Sequence, residues 1–137
     1  MNAVLLDTGV IVALLDRSER HHSRCVDVLG ELTGTLVTCE AVIAEACYLL
    51  RAIRGAPEAV VANVAAGVFQ TPVRLADQAV SVEKLLKKYG DVPMDLADAC
   101  LVDLADRVGT GRILTLDQDF DVYRWRARRK FDLLVEL

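Results

Sequence analysis

The chain has 137 residues and is slightly acidic, with 16 lysines and arginines against 20 aspartates and glutamates, a formal charge of −4. Its 53% hydrophobic and 26% charged residues are typical of a folded globular protein and exclude a disordered tail. The length predicts a single domain over residues 1–137. The net charge excludes a uniformly basic nucleic-acid coat and a polybasic membrane anchor, but not a nucleic-acid enzyme whose acids are gathered in one place.

Nothing in the sequence predicts a membrane or secretory protein. No apolar run approaches the roughly 20 residues that a membrane helix needs. The N-terminus lacks the basic flank and the small-residue cleavage site of a signal peptide. The four cysteines (Cys25, Cys39, Cys47 and Cys100) form no C-x-x-C pair, and we expect them to be reduced. These features predict a cytoplasmic protein.

Short apolar runs alternate with amphipathic stretches along the chain. The first run, 2–6, stops at Asp7-Thr8-Gly9, which is typical of a buried strand that leads into a turn. In chain order we predict a strand at 2–6, helices at about 10–15 and 18–32, a strand at 35–39, helices at 40–53 and 56–69, a strand at 72–75, helices at 77–90 and 93–108, and strands at 112–116 and 131–135. This alternation predicts an α/β fold with parallel strands and helices on both faces of the sheet.

Several acidic residues lie where such a fold places ligands. In open parallel sheets, ligands bind beyond the carboxyl ends of the strands, and both Asp7 and Asp117 follow a predicted strand. For Asp7 alone, a helix N-cap is an equally good interpretation. Glu45 is the only charged residue between Glu40 and Arg51. If that part of the helix is buried, the carboxylate must be paired, protonated or bound to a cation.

A further pair of acids begins the helix at 93–108. Asp95 and Asp98 lie three positions apart on one helix face, and Asp95 also fits an N-cap. Several carboxylates cannot all stay ionised in one pocket without a compensating cation. An all-oxygen pocket suits Mg²⁺ or Mn²⁺, and a water bound to such an ion is suited to attack a phosphodiester.

Four short motifs follow one another along the chain. They are Leu5-Leu6-Asp7-Thr8-Gly9, Val42-Ile43-Ala44-Glu45, Asp95-Leu96-Ala97-Asp98-Ala99 and Leu114-Thr115-Leu116-Asp117-x-x-Phe120. In order and spacing they resemble the motifs of PIN-domain ribonucleases, and in particular the small VapC-type toxins of bacterial toxin–antitoxin pairs. Each motif alone is weak, but four in the right order are specific. The resemblance covers nearly the whole chain and implies a three-layer α/β/α sandwich around a mainly parallel sheet of four to five strands.

The resemblance also implies a site and an activity. The catalytic acids that hold Mg²⁺ or Mn²⁺ would be Asp7, Glu45, Asp98 and Asp117. Thr115 and Thr8 would support them, with Asp95 as the alternative third acid and Asp119 as a substitute or assistant for Asp117. The implied activity is metal-dependent hydrolysis of RNA without a covalent intermediate. The implied partners are an RNA substrate, an antitoxin whose tail blocks the acidic site, and a second copy in a homodimer.

The most basic stretch of the chain lies near its end. It contains Arg124, Arg126, Arg128, Arg129 and Lys130, with Trp125 among them. We interpret it either as a solvated surface or as a rim that contacts the phosphates of single-stranded RNA, with Trp125 stacking on a base. The lysines at 84, 87 and 88 are predicted to form a solvated helix face.

Three alternative functions stay open at this point. The first is a non-catalytic module that binds RNA or a partner with the same fold. The second is a stand-alone PIN nuclease without an antitoxin. The third is a structure-specific DNA nuclease, which the short chain disfavours because it offers no additional arch or helices.

Overall fold

The structure, a computed structural model, describes residues 2–137. Its seven strands are β1 (Ala3–Leu6), β2 (Thr35–Val37), β3 (Phe69–Gln70), β4 (Arg112–Leu114), β5 (Arg124–Trp125), β6 (Arg129–Lys130) and β7 (Asp132–Leu133). Five of them form one parallel sheet in the order β3-β2-β1-β4-β7, while β5 and β6 pair separately as an antiparallel hairpin. The predicted mainly parallel sheet is therefore confirmed.

Six helices surround this sheet. They are α1 (Thr8–Leu15), α2 (His22–Glu31), α3 (Glu40–Leu49), α4 (Ala56–Ala65), α5 (Leu75–Lys88) and α6 (Leu96–Val108). Helix α1 packs on α2 and α3, α3 packs on α4, and α5 packs on α6. The predicted three-layer α/β/α class is confirmed. None of the helices within residues 2–137 is long and apolar enough to cross a bilayer, and all four cysteines are free thiols.

The central strand β1 is buried along its whole length. All four of its side chains are buried, because β2 and β4 flank it and helices cover the sheet. With few aromatic residues, most of the core consists of leucine, valine and alanine. An aromatic cluster lies at one side, where Phe120 makes edge-to-face contacts with Tyr123 and Phe131 at centroid distances of 5.1 and 5.4 Å. Because β1 is paired on both sides and buried, the position of its carboxyl end, which Asp7 follows, is fixed.

The third strand lies elsewhere than predicted. The strand expected at 72–75 is wrong, since the chain pairs with β2 at Phe69 and Gln70 instead. Pro72 has no N–H to donate to a ladder, whereas the buried Phe69 ring gains a place in the core opposite Leu36. The preceding helix consequently ends at Ala65 and does not continue to Phe69.

The basic stretch forms the β5–β6 hairpin, which we did not predict. Its turn places Arg126 and Ala127 in the left-handed region, with φ of 45° and 64°. Such turns favour asparagine and glycine, so the local sequence contains no signal for this one. Tertiary contacts hold it, because the indole of Trp125 packs on Gly111, where an added Cβ would overlap the ring.

Candidate active site

The acidic residues meet at the carboxyl end of the central sheet. The chain runs from β1 to β2 on one side and later returns to β4 on the other, so a crevice opens between the ends of β1 and β4. Asp7 follows β1, and Thr115 and Asp117 follow β4. The backbone N–H of Asp7 donates to the carbonyl of Leu114 at 3.0 Å, which joins the two strand ends.

Asp7 is held by short hydrogen bonds on both carboxylate oxygens. Its Oδ1 accepts from the backbone N–H of Thr8 at 2.8 Å, as an N-cap of α1, and its Oδ2 accepts from Thr115 Oγ1 at 2.7 Å. The same Thr115 oxygen accepts from the backbone N–H of Asp117 at 2.9 Å. One threonine hydroxyl thus connects Asp7 to the segment that carries Asp117. The N-cap and active-site interpretations of Asp7 are compatible.

Asp95 and Asp98 bind each other's backbone at the start of α6. Asp95 Oδ1 accepts from the Asp98 N–H at 2.9 Å, and Asp98 Oδ2 accepts from the Asp95 N–H at 3.2 Å, a reciprocal capping box. Asp98 is buried, with 7% of its surface exposed, whereas Asp95 is exposed. The hydroxyl of Tyr123 donates to Asp98 Oδ2 at 3.4 Å. Sequence reasoning missed Tyr123, because nothing local marks a tyrosine that contacts a residue 25 positions away.

A cavity of about 290 Å³ lies between these elements. It is lined by five acids, namely Asp7, Glu45, Asp95, Asp98 and Asp117. The structure therefore brings together the four acids that we predicted and the alternative, Asp95. Asp119 is not among the lining residues; its backbone N–H donates to Asp117 Oδ1 at 2.9 Å and so helps to fix that side chain.

Burial and mutual repulsion make these carboxyl groups unusually basic. Burial, against opposing hydrogen bonds, raises the pKa of Asp7 to about 6. Burial, followed by the charge of Asp95, raises the pKa of Asp98 to about 8. Burial is also the main cause of the raised pKa of Asp117. Ionised together, these groups destabilise the folded protein, and a bound cation offsets that repulsion.

The cavity fits a hard divalent cation in chemistry, although its ligands are not preassembled. Within residues 2–137, no three histidine, cysteine or acidic side chains lie close enough together to ligate one ion as they stand. The donor set nevertheless consists of carboxylate oxygens, which Mg²⁺ and Mn²⁺ prefer. In the same lining, Thr8 Oγ1 is buried and has no hydrogen-bond partner in the described part of the chain. A water or an ion in the cavity would satisfy that hydroxyl.

The basic stretch presents its arginines but not its tryptophan. Arg126, Arg128 and Arg129 are exposed on the β5–β6 hairpin. Trp125 is only 7% exposed, and its indole N–H donates to the Lys130 carbonyl at 3.1 Å. The prediction that Trp125 stacks on a base is therefore wrong, since the ring is committed to the hairpin and to Gly111.

Comparison with known proteins agrees with this geometry. The family model described as PIN domain matches residues 4–126. The chain belongs to the PIN-domain family. This PIN domain is 32% identical over 117 residues to Ribonuclease VapC26 of Mycobacterium tuberculosis (strain ATCC 25618 / H37Rv), an alignment that covers 84% of the chain and 87% of that protein. The predicted kinship with VapC-type PIN ribonucleases is confirmed.

A solved structure supports the PIN fold. The crystal structure of Mycobacterium tuberculosis VapC20, described as a sarcin–ricin loop cleaving toxin, matches the chain with a TM-score of 0.82. The match covers 92% of the chain and 98% of VapC20 at 20% sequence identity. At that identity, the likeness concerns the fold.

Proposed function

We propose that this PIN-domain protein is a metal-dependent endoribonuclease and the toxin of a toxin–antitoxin pair. The observation that carries the proposal is the cavity at the carboxyl end of the sheet, which gathers Asp7, Glu45, Asp98 and Asp117 from four separate parts of the chain. The ribonuclease identity of the relative VapC26 supports RNA as the substrate.

The four acids suit metal-assisted hydrolysis of a phosphodiester. A bound Mg²⁺ or Mn²⁺ would lower the pKa of an attacking water and would stabilise the negative charge that develops on the phosphodiester. Asp7, Asp98 and Asp117 are the residues that would hold the ion, with Glu45 approaching from α3. Thr115 keeps Asp7 oriented through its 2.7 Å hydrogen bond. Because the pKa of Asp98 is raised to about 8, this carboxyl would give up its proton if it ligated a metal near neutral pH.

The partners follow from charge. The arginines and the lysine of the stretch at 124–130 would contact RNA phosphates outside the acidic cavity. The buried Trp125 would not take part. A cavity of carboxylates also suits an arginine from an antitoxin tail, which would pair with them and block the site. We further propose a homodimer and a cytoplasmic location, where RNA is the available substrate.

Cleavage by the purified protein tests the proposal. The chain is incubated with single-stranded RNA and with a sarcin–ricin stem-loop, the latter because VapC20 cleaves that loop, in Mg²⁺, in Mn²⁺ and in EDTA. We expect cleavage only with metal. Asp98→Asn should abolish it and leave the fold intact, since the amide keeps both hydrogen bonds that Asp98 Oδ2 accepts.

Asp95→Asn decides between the two candidates for the third acid of the site, Asp95 and Asp98. It makes the same chemical change on the same helix turn, and asparagine is as good an N-cap as aspartate. We expect it to retain most of the activity, because Asp95 is exposed and serves as the cap. Full Mn²⁺-dependent cleavage by Asp98→Asn would show that the site is assigned wrongly. RNA binding without cleavage in any metal would favour the non-catalytic module instead.

The antitoxin and the dimer need separate measurements. A short reading frame beside the gene, whose product copurifies with this chain and inhibits cleavage, would establish the toxin role. Cleavage with no such inhibitor would indicate a stand-alone PIN nuclease. Light scattering of the purified chain measures the mass and so decides whether the protein is a homodimer.

A further inference from the structure

A second cavity lies on the flank of the molecule, between α5, α6 and the β5–β6 hairpin. Its volume is about 240 Å³. Lys84 and Lys88 line it from α5, Arg124 lines it from the hairpin, and Asp103 and Asp106 line it from α6. We call this cavity the flank cleft. None of the four predicted catalytic acids lines it.

The two acids of the flank cleft are already engaged by the protein. Asp103 Oδ2 accepts from Arg107 Nε at 2.6 Å and from Gln78 Nε2 at 3.0 Å. Asp106 Oδ1 accepts from the backbone N–H of Arg126. Arg107 thus neutralises Asp103, whereas Asp106 keeps its charge. The three bases of the cleft, Lys84, Lys88 and Arg124, therefore outnumber its one uncompensated acid.

The two lysines of the flank cleft have no acidic partner. Neither Lys84 nor Lys88 makes a salt bridge within residues 2–137, and Lys88 Nζ lies 5.3 Å from the centroid of the Tyr89 ring. Lys87, on the same helix, differs in both respects. Its Nζ lies 3.9 Å from Glu83 Oε2, and its side chain does not line the cleft.

Arg124 is held in place with one side of its guanidinium free. Its Nη1 donates to the backbone carbonyls of Asp121, Val122 and Tyr123 at 2.7, 3.1 and 3.0 Å. Its Nη2 makes no hydrogen bond to any described residue. A planar guanidinium fixed in this way is suited to a phosphate, because little side-chain entropy is lost when the ligand binds.

We propose that the flank cleft binds a backbone phosphate of the RNA substrate, outside the bond that is cleaved. This inference rests on the proposed ribonuclease function. The acidic cavity repels phosphates, so a polyanion must be held by cations beside it. RNA is favoured as the ligand because the exposed arginines of the hairpin continue the positive surface past Arg124.

The distance along α6 sets where this phosphate lies. Asp98 faces the acidic cavity, while Asp103 and Asp106 lie under the flank cleft on the same helix. At 1.5 Å per residue they are about 8 and 12 Å further along the helix axis. This axial rise is the minimum distance between the two sites, because the side chains leave different sides of the helix, and it spans about two to four nucleotides of a stacked strand at about 3.4 Å each. Tyr123 and Arg124, adjacent in sequence, join the two sites, since the Tyr123 hydroxyl contacts Asp98.

Binding measured without cleavage tests the proposal. The full chain is titrated in EDTA against a fluorescein-labelled single-stranded RNA of mixed sequence, about 12 nucleotides long, a size within the range of single-strand sites. We expect the double variant Lys84→Gln, Lys88→Gln to weaken binding by about fivefold per lysine, the effect of about 1 kcal/mol at a hydrated ion pair. The slope of log affinity against log salt should fall by about 0.7 for each phosphate that the variant no longer neutralises.

Lys87→Gln is the matched control for the single variants Lys84→Gln and Lys88→Gln, because each of the three removes one positive charge from α5. Glutamine is a good helix former at these exposed positions, so the variants should keep the fold, which circular dichroism checks. We expect Lys87→Gln to bind RNA as the parent does. A loss of affinity in Lys87→Gln equal to that in either single variant would mean a general charge effect and would overturn the flank cleft as a site. So would unchanged RNA binding by the double variant.

Two further outcomes separate the proposals. If the parent chain binds RNA through the lysines but never cleaves it, the ribonuclease function fails while the phosphate site stands. If the parent cleaves RNA and the double variant binds it normally, only the phosphate site fails. A third outcome is that poly-glutamate binds the parent but not the double variant, while RNA binds both equally. This result would assign the cleft to an acidic protein and would overturn the RNA site.

Discussion

Replacing Asp7 by asparagine should stabilise the metal-free protein at neutral pH. Burial raises the pKa of this carboxyl to about 6 from its ordinary 3.8, and the residue is only 6% exposed. A shift of about 2 pKa units corresponds to about 3 kcal/mol, at about 1.4 kcal/mol per unit. Asparagine retains the N-cap but replaces a carboxylate hydrogen bond to Thr115, a loss of about 1 kcal/mol. The expected net gain is therefore about 2 kcal/mol.

The stabilisation expected for Asp7→Asn grows with rising pH. Because the folded-state pKa of Asp7 is raised, the folded protein holds this proton more tightly than the unfolded chain between about pH 4 and 6. Stability from this group is present at low pH and is lost as the pH rises through about 6. The variant lacks this group, so its advantage should appear across the same interval and then level off.

Urea denaturation in EDTA measures the difference. We expect Asp7→Asn to exceed the parent by about 2 kcal/mol near pH 7.5 and to show no advantage near pH 4. The exposed Asp27→Asn on α2 is the control and should leave the free energy of unfolding unchanged at both pH values. A variant less stable than the parent near pH 7.5, or a difference independent of pH, would refute the reasoning. Adding Mn²⁺ should stabilise the parent more than the variant.

Three further predictions concern the site and its support. Glu45→Gln should abolish cleavage. Glu40→Gln, at an exposed position at the start of the same helix, should cleave RNA normally. Equal cleavage by the two variants would show that Glu45 does not belong to the site. Thr115→Val should lower the free energy of unfolding by about 1–3 kcal/mol and reduce cleavage, because it removes the donor to Asp7, and Thr115→Ser should restore both. Gly111→Ala should destabilise the protein by about 1–3 kcal/mol in urea, since the added methyl overlaps the indole of Trp125. It should also shift the fluorescence of this single tryptophan, and an unchanged spectrum would contradict the packing.

Local patterns predicted the elements that carry the acids. Three signals depend only on residues that are close in the chain. They are the apolar run before Asp7, the isolated charge of Glu45 and the spacing of Asp95 and Asp98. The capping box of Asp95 and Asp98 is such a case, because all of its atoms lie within one helix turn. These signals predicted an α/β fold and marked the acids as candidates, and the resemblance to PIN-domain ribonucleases singled out four of them.

Other features depend on residues far apart in the chain. The third strand lies at Phe69 and Gln70, although local sequence favoured 72–75. The Phe69 ring fills the core beside Leu36, and that contact depends on the tertiary structure. The β5–β6 hairpin has a turn of Arg126 and Ala127 that local preference disfavours, so contacts with α6 and Gly111 hold it.

The sequence by itself determined that acids stand at strand ends and on apolar helix faces, because hydrophobic periodicity and capping act over a few residues. The tertiary structure decided which of them share a cavity, how strongly burial raises their pKa values, and that Tyr123 contacts Asp98. It also decided that Trp125 is enclosed and that Lys84 and Lys88 face Arg124 across a cleft. Burial and proximity arise only when helices and strands pack, so no local pattern encodes them.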